Sequence, residues 1–343
     1  MEHETGRTTT PTGTRTEDKR PEGSRDEAVE FESKVGMKLP FGSAPDTTST
    51  PGDSILPGTS IVAITWQDNY RVYFQDKLGG IREGRYSDGE WAGGDSDSVL
   101  FTAKLYTPLA IITWDSGKQI RMYYLNEKNW LQEFSFTAGV GWYHGRLTEL
   151  RIQVAHFSRI AAVWLADGPK MRVYIQGKRP SSNAIEEYAY NHSRFQAWAK
   201  ENTLAVALRG SSIAAIRWGE SITNISVFYQ DSLLRVREYR VGDGGRSVWY
   251  DGNFGPIVAP PNTPITAIES TLQARTLWQD SSGDISELRY FDNRWQPKAR
   301  KLMRTAGRQT CLYIVKLDGS LPDLRLYFQG SDNALFELAM QWD

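Results

Sequence analysis

The sequence predicts an all-β protein: a six-bladed β-propeller preceded by an N-terminal segment of low complexity. From residue 59 onward, the 343-residue chain repeats itself six times with a period of about 50 residues. Each repeat consists of short apolar or alternating runs separated by Gly, Asp, Asn and Ser, which is typical of strands and tight turns. No repeat has the apolar period of an amphipathic helix. Six units of three or four strands fit a closed ring of blades, whereas a sandwich does not require so strict a period.

The first five repeats open with an apolar strand, as in SIVAITW (60–66) and PLAIITW (108–114), and the sixth is eroded at its start. Four of these strands end at a tryptophan that we expect in the core. These tryptophans are Trp66, Trp114, Trp164 and Trp218. An aromatic strand follows, and five of the six copies begin with arginine. The six positions are Arg71, Arg121, Arg172, Ser226, Arg275 and Arg325, so the steps between them are 50, 51, 54, 49 and 50 residues.

A third strand carries a glutamate at one fixed place in every repeat. It follows the arginine position by 12 residues in five repeats and by 15 in the third, where the extra residues fall in the polar turn GKRPSSN (177–183). The glutamates are Glu83, Glu133, Glu187, Glu238, Glu287 and Glu337. An insertion confined to a turn is what a maintained pair of strands tolerates, so the second and third strands are predicted to form a hairpin.

We divide the chain into a low-complexity segment, residues 1–58, and a propeller, residues 59–343. The first segment is rich in Thr, Pro, Gly, Ser and charge, and we expect it to be disordered or extended because it cannot bury enough apolar surface. The predicted blades span about 59–106, 107–157, 158–210, 211–262, 263–305 and 306–343. The sixth repeat lacks residues for a last strand after its tryptophan, so residues just upstream of Ile61 are expected to complete that blade.

Composition excludes several classes of protein. A net charge of −1 argues against a nucleic-acid partner, and no apolar run is long enough to span a membrane. The single cysteine, Cys311, excludes an internal disulfide framework, and the four histidines have no metal-ligand spacing, so no metal or other cofactor is expected. The N-terminus has no apolar stretch of the secretory type, which predicts a protein that stays in the cytoplasm or leaves by an unconventional route.

The repeated Arg and Glu need an explanation, because strands do not require them. We expect Arg71 and Glu83 to lie directly opposite each other in a hairpin centred near Lys77, with their Cβ atoms about 5 Å apart. One such pair is adequately explained as an ion pair. Five copies, each followed by a tryptophan, favour a binding site instead: guanidinium and carboxylate match vicinal hydroxyls, and an indole offers an apolar wall. This combination predicts a neutral sugar as the ligand.

The pattern SIVAITW…RVYFQ…IRE…W resembles the repeat of the fungal fucose-specific lectins, the Aleuria-type family of six-bladed propellers, over residues 59–343. The resemblance implies that L-fucose lies between consecutive blades, where Arg and Glu of one blade bind its hydroxyls and ring oxygen. Aromatic residues of the next blade pack against its apolar face and methyl group. The implied partners are L-fucose and fucosylated glycans or glycoproteins, and the implied binding is multivalent, without catalysis. Family members often dimerise, which makes a homodimer an expectation here.

Carried over residue by residue, the resemblance implies six pockets of unequal quality. The first four comprise Arg71, Glu83, Phe136 and Trp142; Arg121, Glu133, Tyr190 and Trp198; Arg172, Glu187 and Trp249, with Val241 in place of a ring; and Glu238, Tyr290 and Trp295, with Ser226 in place of the arginine. The last two comprise Arg275, Glu287, Met340 and Trp342, and Arg325, Glu337, Tyr86 and Trp91. We expect the fourth pocket to be weak or empty because it lacks the arginine.

Two other functions are compatible with a propeller. A sialidase-like glycosidase is one, but its Asp-box pattern is absent, and SDGEW (87–91) is the nearest approach. The polar residues are also spread over the blades instead of meeting in one central cleft, as paired catalytic carboxylates would. A protein-interaction scaffold is the other, and it explains the fold but not the regular Arg, Glu and Trp.

Overall fold

Six antiparallel sheets make up the computed structural model, which describes residues 37–41, 55–165, 170–178, 183–191, 197–218, 224–242, 248–270, 273–304, 310–317 and 323–342. The first blade comprises β2 (Val62–Trp66), β3 (Asn69–Gln75), β4 (Gly80–Ser87), β5 (Glu90–Gly93) and β6 (Val99–Thr102), while β1 (Met37–Lys38) belongs to the last blade. The second comprises β7 (Ala110–Trp114), β8 (Gln119–Leu125), β9 (Leu131–Thr137) and β10 (Gly141–His144). The third comprises β11 (Ile160–Leu165), β12 (Lys170–Gln176), β13 (Ala184–Asn191) and β14 (Trp198–Val206).

The remaining three blades follow the same order. The fourth comprises β15 (Ala214–Arg217), β16 (Ile225–Gln230), β17 (Arg235–Val241), β18 (Tyr250–Asp251) and β19 (Ile257–Val258). The fifth comprises β20 (Ile265–Ser270), β21 (Gln273–Gln279), β22 (Asp284–Phe291), β23 (Arg294–Trp295) and β24 (Arg300–Arg304). The sixth comprises β25 (Leu312–Lys316), β26 (Asp323–Gln329), β27 (Leu335–Gln341) and β1. The predicted all-β propeller is confirmed.

The first strands of the six blades form a closed inner ring. β2 contacts β7, and contacts continue through β11, β15, β20 and β25 back to β2. These strands surround a central channel of about 750 Å³. Outside the channel, the core consists of six apolar clusters, each formed by residues of two neighbouring blades. Burial of apolar side chains therefore holds blade to blade, and any pocket at a junction is built on this packing.

A buried hydroxyl before the first strand ties each blade together. It accepts a hydrogen bond of 2.7–3.2 Å from the backbone N–H of the last residue of the second strand. The hydroxyls belong to Thr59, Thr107, Ser158, Ser211, Thr263 and Thr310. Each bond fixes the segment that enters a blade to the hairpin of that blade, so the six junctions keep the same geometry.

The ring closes with residues from the N-terminal segment. β1 pairs with the edge of β27 in the last blade, and the Leu39 N–H donates to the Leu335 carbonyl at 2.8 Å. This closing strand lies earlier in the chain than the residues just before Ile61 that we expected in that place. The pairing satisfies backbone groups that would otherwise form an open edge.

The residues just before Ile61 contribute to closure in a different way. The Gln329 side chain donates to the Leu56 carbonyl at 3.2 Å and accepts from the Gly58 N–H at 2.6 Å. Gln176 and Gln230 hold the segments that enter the fourth and fifth blades through comparable bonds. The entry to the first blade is therefore attached to the sixth blade in the same way as other consecutive blades are attached.

Candidate functional site

In the five blades that have both residues, the repeated Arg and Glu lie on one face of the same hairpin, but they are diagonal neighbours. Glu83 pairs with Tyr73 across the ladder, and Arg71 pairs with Arg85. The expectation that Arg71 and Glu83 face each other directly is therefore wrong by two residues. The reason lies in the turn, where the Asp76 carboxylate accepts from the N–H groups of Leu78 and Gly80 and centres the loop on Leu78. We number the junctions one to six after the blade that supplies the glutamate.

Junction one brings together all four residues predicted for it. Arg71 Nη1 lies 2.9 Å from Glu83 Oε1, and its guanidinium lies 5.9 Å from the ring of Phe136 in the second blade. Trp142 packs edge-on against Tyr73 with ring centroids 6.4 Å apart. A charged pair from one blade thus meets two rings of the next blade, which is the arrangement predicted from the sequence.

The tryptophans that end the first strands are half-buried, and Trp66, Trp114 and Trp164 pack against the apolar core clusters, as expected. Trp66 stacks on the Arg71 guanidinium at 5.1 Å, and Trp114 stacks on Arg121 at 4.9 Å. Trp66 and Trp114 thus cover the arginine of their own blade. Such a cation–π contact orients the guanidinium and keeps part of it from water.

Junctions two and three repeat the plan with variations. Arg121 Nε lies 3.8 Å from Glu133, and Trp198 packs edge-on against Tyr123 across the junction, beside Tyr190. The Leu147 N–H donates to the second oxygen of Glu133 at 3.0 Å, so this carboxylate is held from its own blade as well.

At junction three, Arg172 Nε lies 3.4 Å from Glu187 Oε1, and Trp249 packs edge-on against Tyr174 at 6.2 Å. Val241 lies in the same apolar cluster, where other junctions have a ring. The apolar wall of this junction therefore depends mainly on Trp249.

Junction six joins the sixth blade to the first. Arg325 Nε lies 3.2 Å from Glu337 Oε1, and Trp91 belongs to the apolar cluster that contains Tyr327. Tyr86, adjacent to Trp91, stacks on Tyr70 at 4.7 Å. Burial raises the pKa of Tyr70, whereas the charge of Arg325 lowers it and that of Glu337 raises it. Tyr70 therefore lies beside the Arg325–Glu337 pair. The sequence pattern had not included Tyr70 in this pocket.

At junction five, the charged pair is buried. Arg275 lies 3.3 Å from Glu287, donates to the Gln341 carbonyl at 2.7 Å and is covered by Trp342 at 5.0 Å. Met340 is buried in the same cluster. The arginine side chains of junctions one, two, three, five and six are exposed by 22, 13, 23, 3 and 17%. The predicted residues of junction five thus come together, and their charged pair is covered.

Junction four contains a cavity of about 80 Å³, although its predicted arginine position holds Ser226. Glu238, Tyr290 and Trp295 all line it, and the Trp295 indole N–H donates to Glu238 Oε2 at 2.9 Å across the junction. Trp218 and Arg240 complete the side of the cavity that belongs to the fourth blade.

A tyrosine two residues after the arginine lies opposite the glutamate in four blades, and its hydroxyl donates to that glutamate in two of them. Tyr73 donates to Glu83 at 2.8 Å, and Tyr174 donates to Glu187 at 3.0 Å. Tyr123 and Tyr327 pair with Glu133 and Glu337 in the same register. Burial, followed by the neighbouring carboxylate, raises the pKa of these tyrosines well above the usual value, so their hydroxyls stay protonated. The Arg-x-Tyr spacing was the sequence signal for this role.

Burial also shifts the pKa of three of the glutamates. It raises the pKa of Glu133, Glu238 and Glu337 above the usual 4.5, although each has an arginine beside it that opposes the rise. The backbone directly after the fourth strand makes room for two of these carboxylates. A Cβ added at Gly145 or Gly252 would overlap the side chain of Glu133 or Glu238, so only glycine fits there.

Comparison with known proteins decides which family has this architecture. A model of the fungal fucose-specific lectin family matches residues 55–342. The chain belongs to the fungal fucose-specific lectin family. A fucose-specific lectin of Aspergillus fumigatus is 34% identical over 82% of this chain and 90% of the relative, and one of Aleuria aurantia is 31% identical over 83% and 90%.

A solved member of the family gives the structural match. The N224Q mutant of the Aleuria aurantia lectin, in complex with α-methyl-L-fucoside, superposes with a TM-score of 0.73 at 29% identity, covering 83% of this chain and 92% of that one. The resemblance inferred from the repeated motifs is therefore confirmed. Within the described ranges, no helix is long and apolar enough to cross a membrane, and no three His, Cys, Asp or Glu side chains cluster as metal ligands.

Proposed function

We propose that this protein is a multivalent lectin that binds L-fucose and fucosylated glycans at the junctions between its blades and catalyses no reaction. One observation carries the proposal: Arg71, Glu83 and two rings of the next blade converge at junction one, and related sets recur around the ring. The guanidinium offers paired donors, the carboxylate accepts from hydroxyls, and the rings accept the apolar face of a deoxyhexose. The relatives named above, which are fucose-specific lectins, support the same ligand.

The proposed contacts divide by blade. Arg and Glu bind the hydroxyls and ring oxygen, and the aromatic residues of the following blade pack on the methyl side. We assign open pockets to junctions one, two, three and six, with the residues Arg71, Glu83, Phe136, Trp142, Arg121, Glu133, Tyr190, Trp198, Arg172, Glu187, Trp249, Arg325, Glu337, Tyr86 and Trp91. Junction five, with Arg275, Glu287 and Trp342, is expected to bind least because its pair is covered.

The same geometry supports the proposed absence of catalysis. Hydrolysis of a glycosidic bond needs an acid and a second carboxylate on either side of one bond. In the described part of the chain, each junction brings one glutamate to its arginine, and that glutamate is engaged by tyrosine, serine, tryptophan or backbone donors at several junctions. A carboxylate held in this way is suited to accept hydrogen bonds from a bound sugar.

Several shallow pockets on one ring give the whole molecule a high avidity although each pocket binds weakly. A single monosaccharide pocket binds weakly, but a second pocket on the same ring meets a second fucose at high effective concentration on a glycan-covered surface. The expected consequence is that the protein binds a fucosylated surface far more tightly than free methyl fucoside.

Calorimetric titration with α-methyl-L-fucoside tests the proposal. Arg71→Ala should lower the stoichiometry by one sugar per chain, because it removes the donors of one pocket and leaves the others. Arg71→Lys should be nearly as damaging, since lysine cannot donate in a bidentate manner. Lys77→Ala, an exposed change in the turn of the same hairpin, should leave the stoichiometry unchanged. No heat of binding for the unmodified protein, or release of free sugar from a fucosylated glycan, would contradict the proposal.

A further inference from the structure

The fourth blade holds a guanidinium at its junction although it lacks the repeated arginine. Ser226 occupies the arginine position on β16, and its direct partner across the ladder on β17 is Arg240. Arg240 Nε lies 3.5 Å from Glu238 Oε1, and both residues line the junction-four cavity. In the other blades, an arginine on the second strand contacts the glutamate. In the fourth blade, Arg240 on the third strand makes this contact instead.

The position of this guanidinium matches that at junction one. Arg71 lies 5.9 Å from the ring of Phe136 in the next blade, and Arg240 lies 5.9 Å from Tyr290, which stands at the same place in its repeat. Arg240 also stacks on Trp218 at 3.9 Å, as Arg71 stacks on Trp66. Cation–π contacts on both sides fix its orientation across the junction.

The hydroxyl group that donates to the glutamate also comes from a different residue in the fourth blade. At junction one, the Tyr73 hydroxyl donates to Glu83, but the fourth blade has Phe228 opposite Glu238 and so lacks this hydroxyl. The Ser226 hydroxyl donates to Glu238 Oε1 at 2.7 Å instead. Phe228 keeps the packing function, because it contacts Trp295 edge-on at 5.8 Å. Serine thus supplies the hydroxyl, and Arg240 supplies the charge.

Two donors at the cavity make no hydrogen bond within the described structure, although one of them belongs to the ion pair with Glu238. The Arg240 side chain is 8% exposed, and its Nε–H has no hydrogen-bond acceptor among the described residues. The indole N–H of Trp218, which lines the same cavity, also lacks one. Buried donors without acceptors are costly, and a ligand that offers hydroxyl or ring oxygens would satisfy them.

We propose that junction four is a working sugar site in which Arg240 takes the place that Arg71 has at junction one. The ligand is the same deoxyhexose, so this inference rests on the function proposed above. Glu238 accepts from the hydroxyls, Arg240 and Trp218 donate to oxygen atoms, and Tyr290 with Trp295 forms the apolar wall. The sequence expectation of a weak or empty fourth pocket is replaced by this assignment.

The second blade supplies the design of the test, because it has the same two residue types in the opposite order. Arg121 on β8 pairs with Ser135 on β9, whereas Ser226 on β16 pairs with Arg240 on β17. Arg240→Ala should lower the calorimetric stoichiometry for α-methyl-L-fucoside by one per chain. The exchange S226R/R240S, which recreates the order found in the second blade, should restore it. Arg237→Ala is the matched control, because Arg237 lies on β17 with its side chain paired to Asp251 at 3.2 Å.

A crystal structure of the full chain with α-methyl-L-fucoside separates this inference from the function on which it rests. Sugar at junction four in contact with Arg240, together with sugar at junction one, supports both. Sugar at junction one with none at junction four, or sugar at junction four that avoids Arg240, overturns the inference and leaves the proposed function standing. Sugar at no junction overturns the proposed function. If Arg240→Ala lowers the melting temperature too far for titration, S226R/R240S and this crystal structure still decide the question.

Discussion

At the scale of single residues, the sequence pattern identified which side chains meet but not how they are arranged. Regular spacing placed Arg71 with Glu83 and Arg325 with Glu337, and both pairs are present. The spacing could not reveal the ladder register, because that depends on the Asp76 turn. It could not reveal Arg240 either, because cross-strand proximity exists only once the register is known. A sequence repeat predicts which positions of a strand carry the binding residues. The residues that face each other across a hairpin can be identified only from the three-dimensional structure.

Binding is expected to weaken with falling pH at junctions two, four and six. Burial raises the pKa of Glu133, Glu238 and Glu337, so their protonation begins above the usual 4.5 and removes the acceptor that a sugar hydroxyl needs. Stability has the opposite sign: a carboxyl with a raised folded-state pKa stabilises the fold at low pH, and this contribution is lost as pH rises through that pKa. Titration with α-methyl-L-fucoside at about pH 7.5 and 5, with melting curves at both, measures the two effects. Equal affinity down to about pH 4.5 would contradict this prediction.

At the scale of the blade, the repeat predicted the strands well because each blade reuses the same local pattern. It did not reveal the hydroxyls that fasten the blades, although a Thr or Ser precedes every first strand. These residues resemble ordinary loop residues in the sequence. Their role becomes visible only when the last N–H of the second strand is seen pointing at them. A short polar residue in a linker is thus a structural part of the blade.

Thr107→Val should destabilise the second blade. Thr107 is fully buried, and its hydroxyl accepts from the Leu125 N–H at 2.9 Å. Valine fills the same space and leaves that N–H without an acceptor, at a cost of about 1–3 kcal/mol. Thr107→Ser should cost far less, since the third and fourth blades have serine in this position. Denaturant unfolding of both variants provides the measurement, and an equal loss of stability in the two would contradict the prediction, because the methyl group would then contribute as much as the hydroxyl.

At the scale of the whole molecule, the sequence predicted that an N-terminal segment closes the ring, but it did not predict which residues form the closing strand. The repeat count predicts that the last blade borrows a strand, and β1 pairs with β27. Its position could not be predicted, because Met37–Lys38 lies in a low-complexity segment without strand periodicity. Phe41 anchors this segment, packing between Phe74 at 5.7 Å and Trp91 at 5.3 Å. Gly84 and Gly94 leave room for its ring, since a Cβ on either would overlap it.

Phe41→Ala should lower the melting temperature clearly, because it removes a buried ring that joins the closing strand to the first blade. Such a truncation typically costs about 3–5 kcal/mol. Met37→Ala is the control, since Met37 belongs to the same strand but is 54% exposed. Deletion of residues 1–58 should be at least as damaging as Phe41→Ala, and deletion of residues 1–25 should have no effect. A melting temperature unchanged by Phe41→Ala and by deletion of residues 1–58 would refute this account of closure.

The inverted order of Arg121 and Ser135 against Ser226 and Arg240 affects how related genomes should be searched. A motif scan that demands arginine at one column of an alignment would discard the fourth repeat as degenerate. A scan that accepts arginine at either of the two facing positions would retain the fourth repeat. Under the proposal above, the charge of junction four then counts as relocated across the hairpin and not as lost.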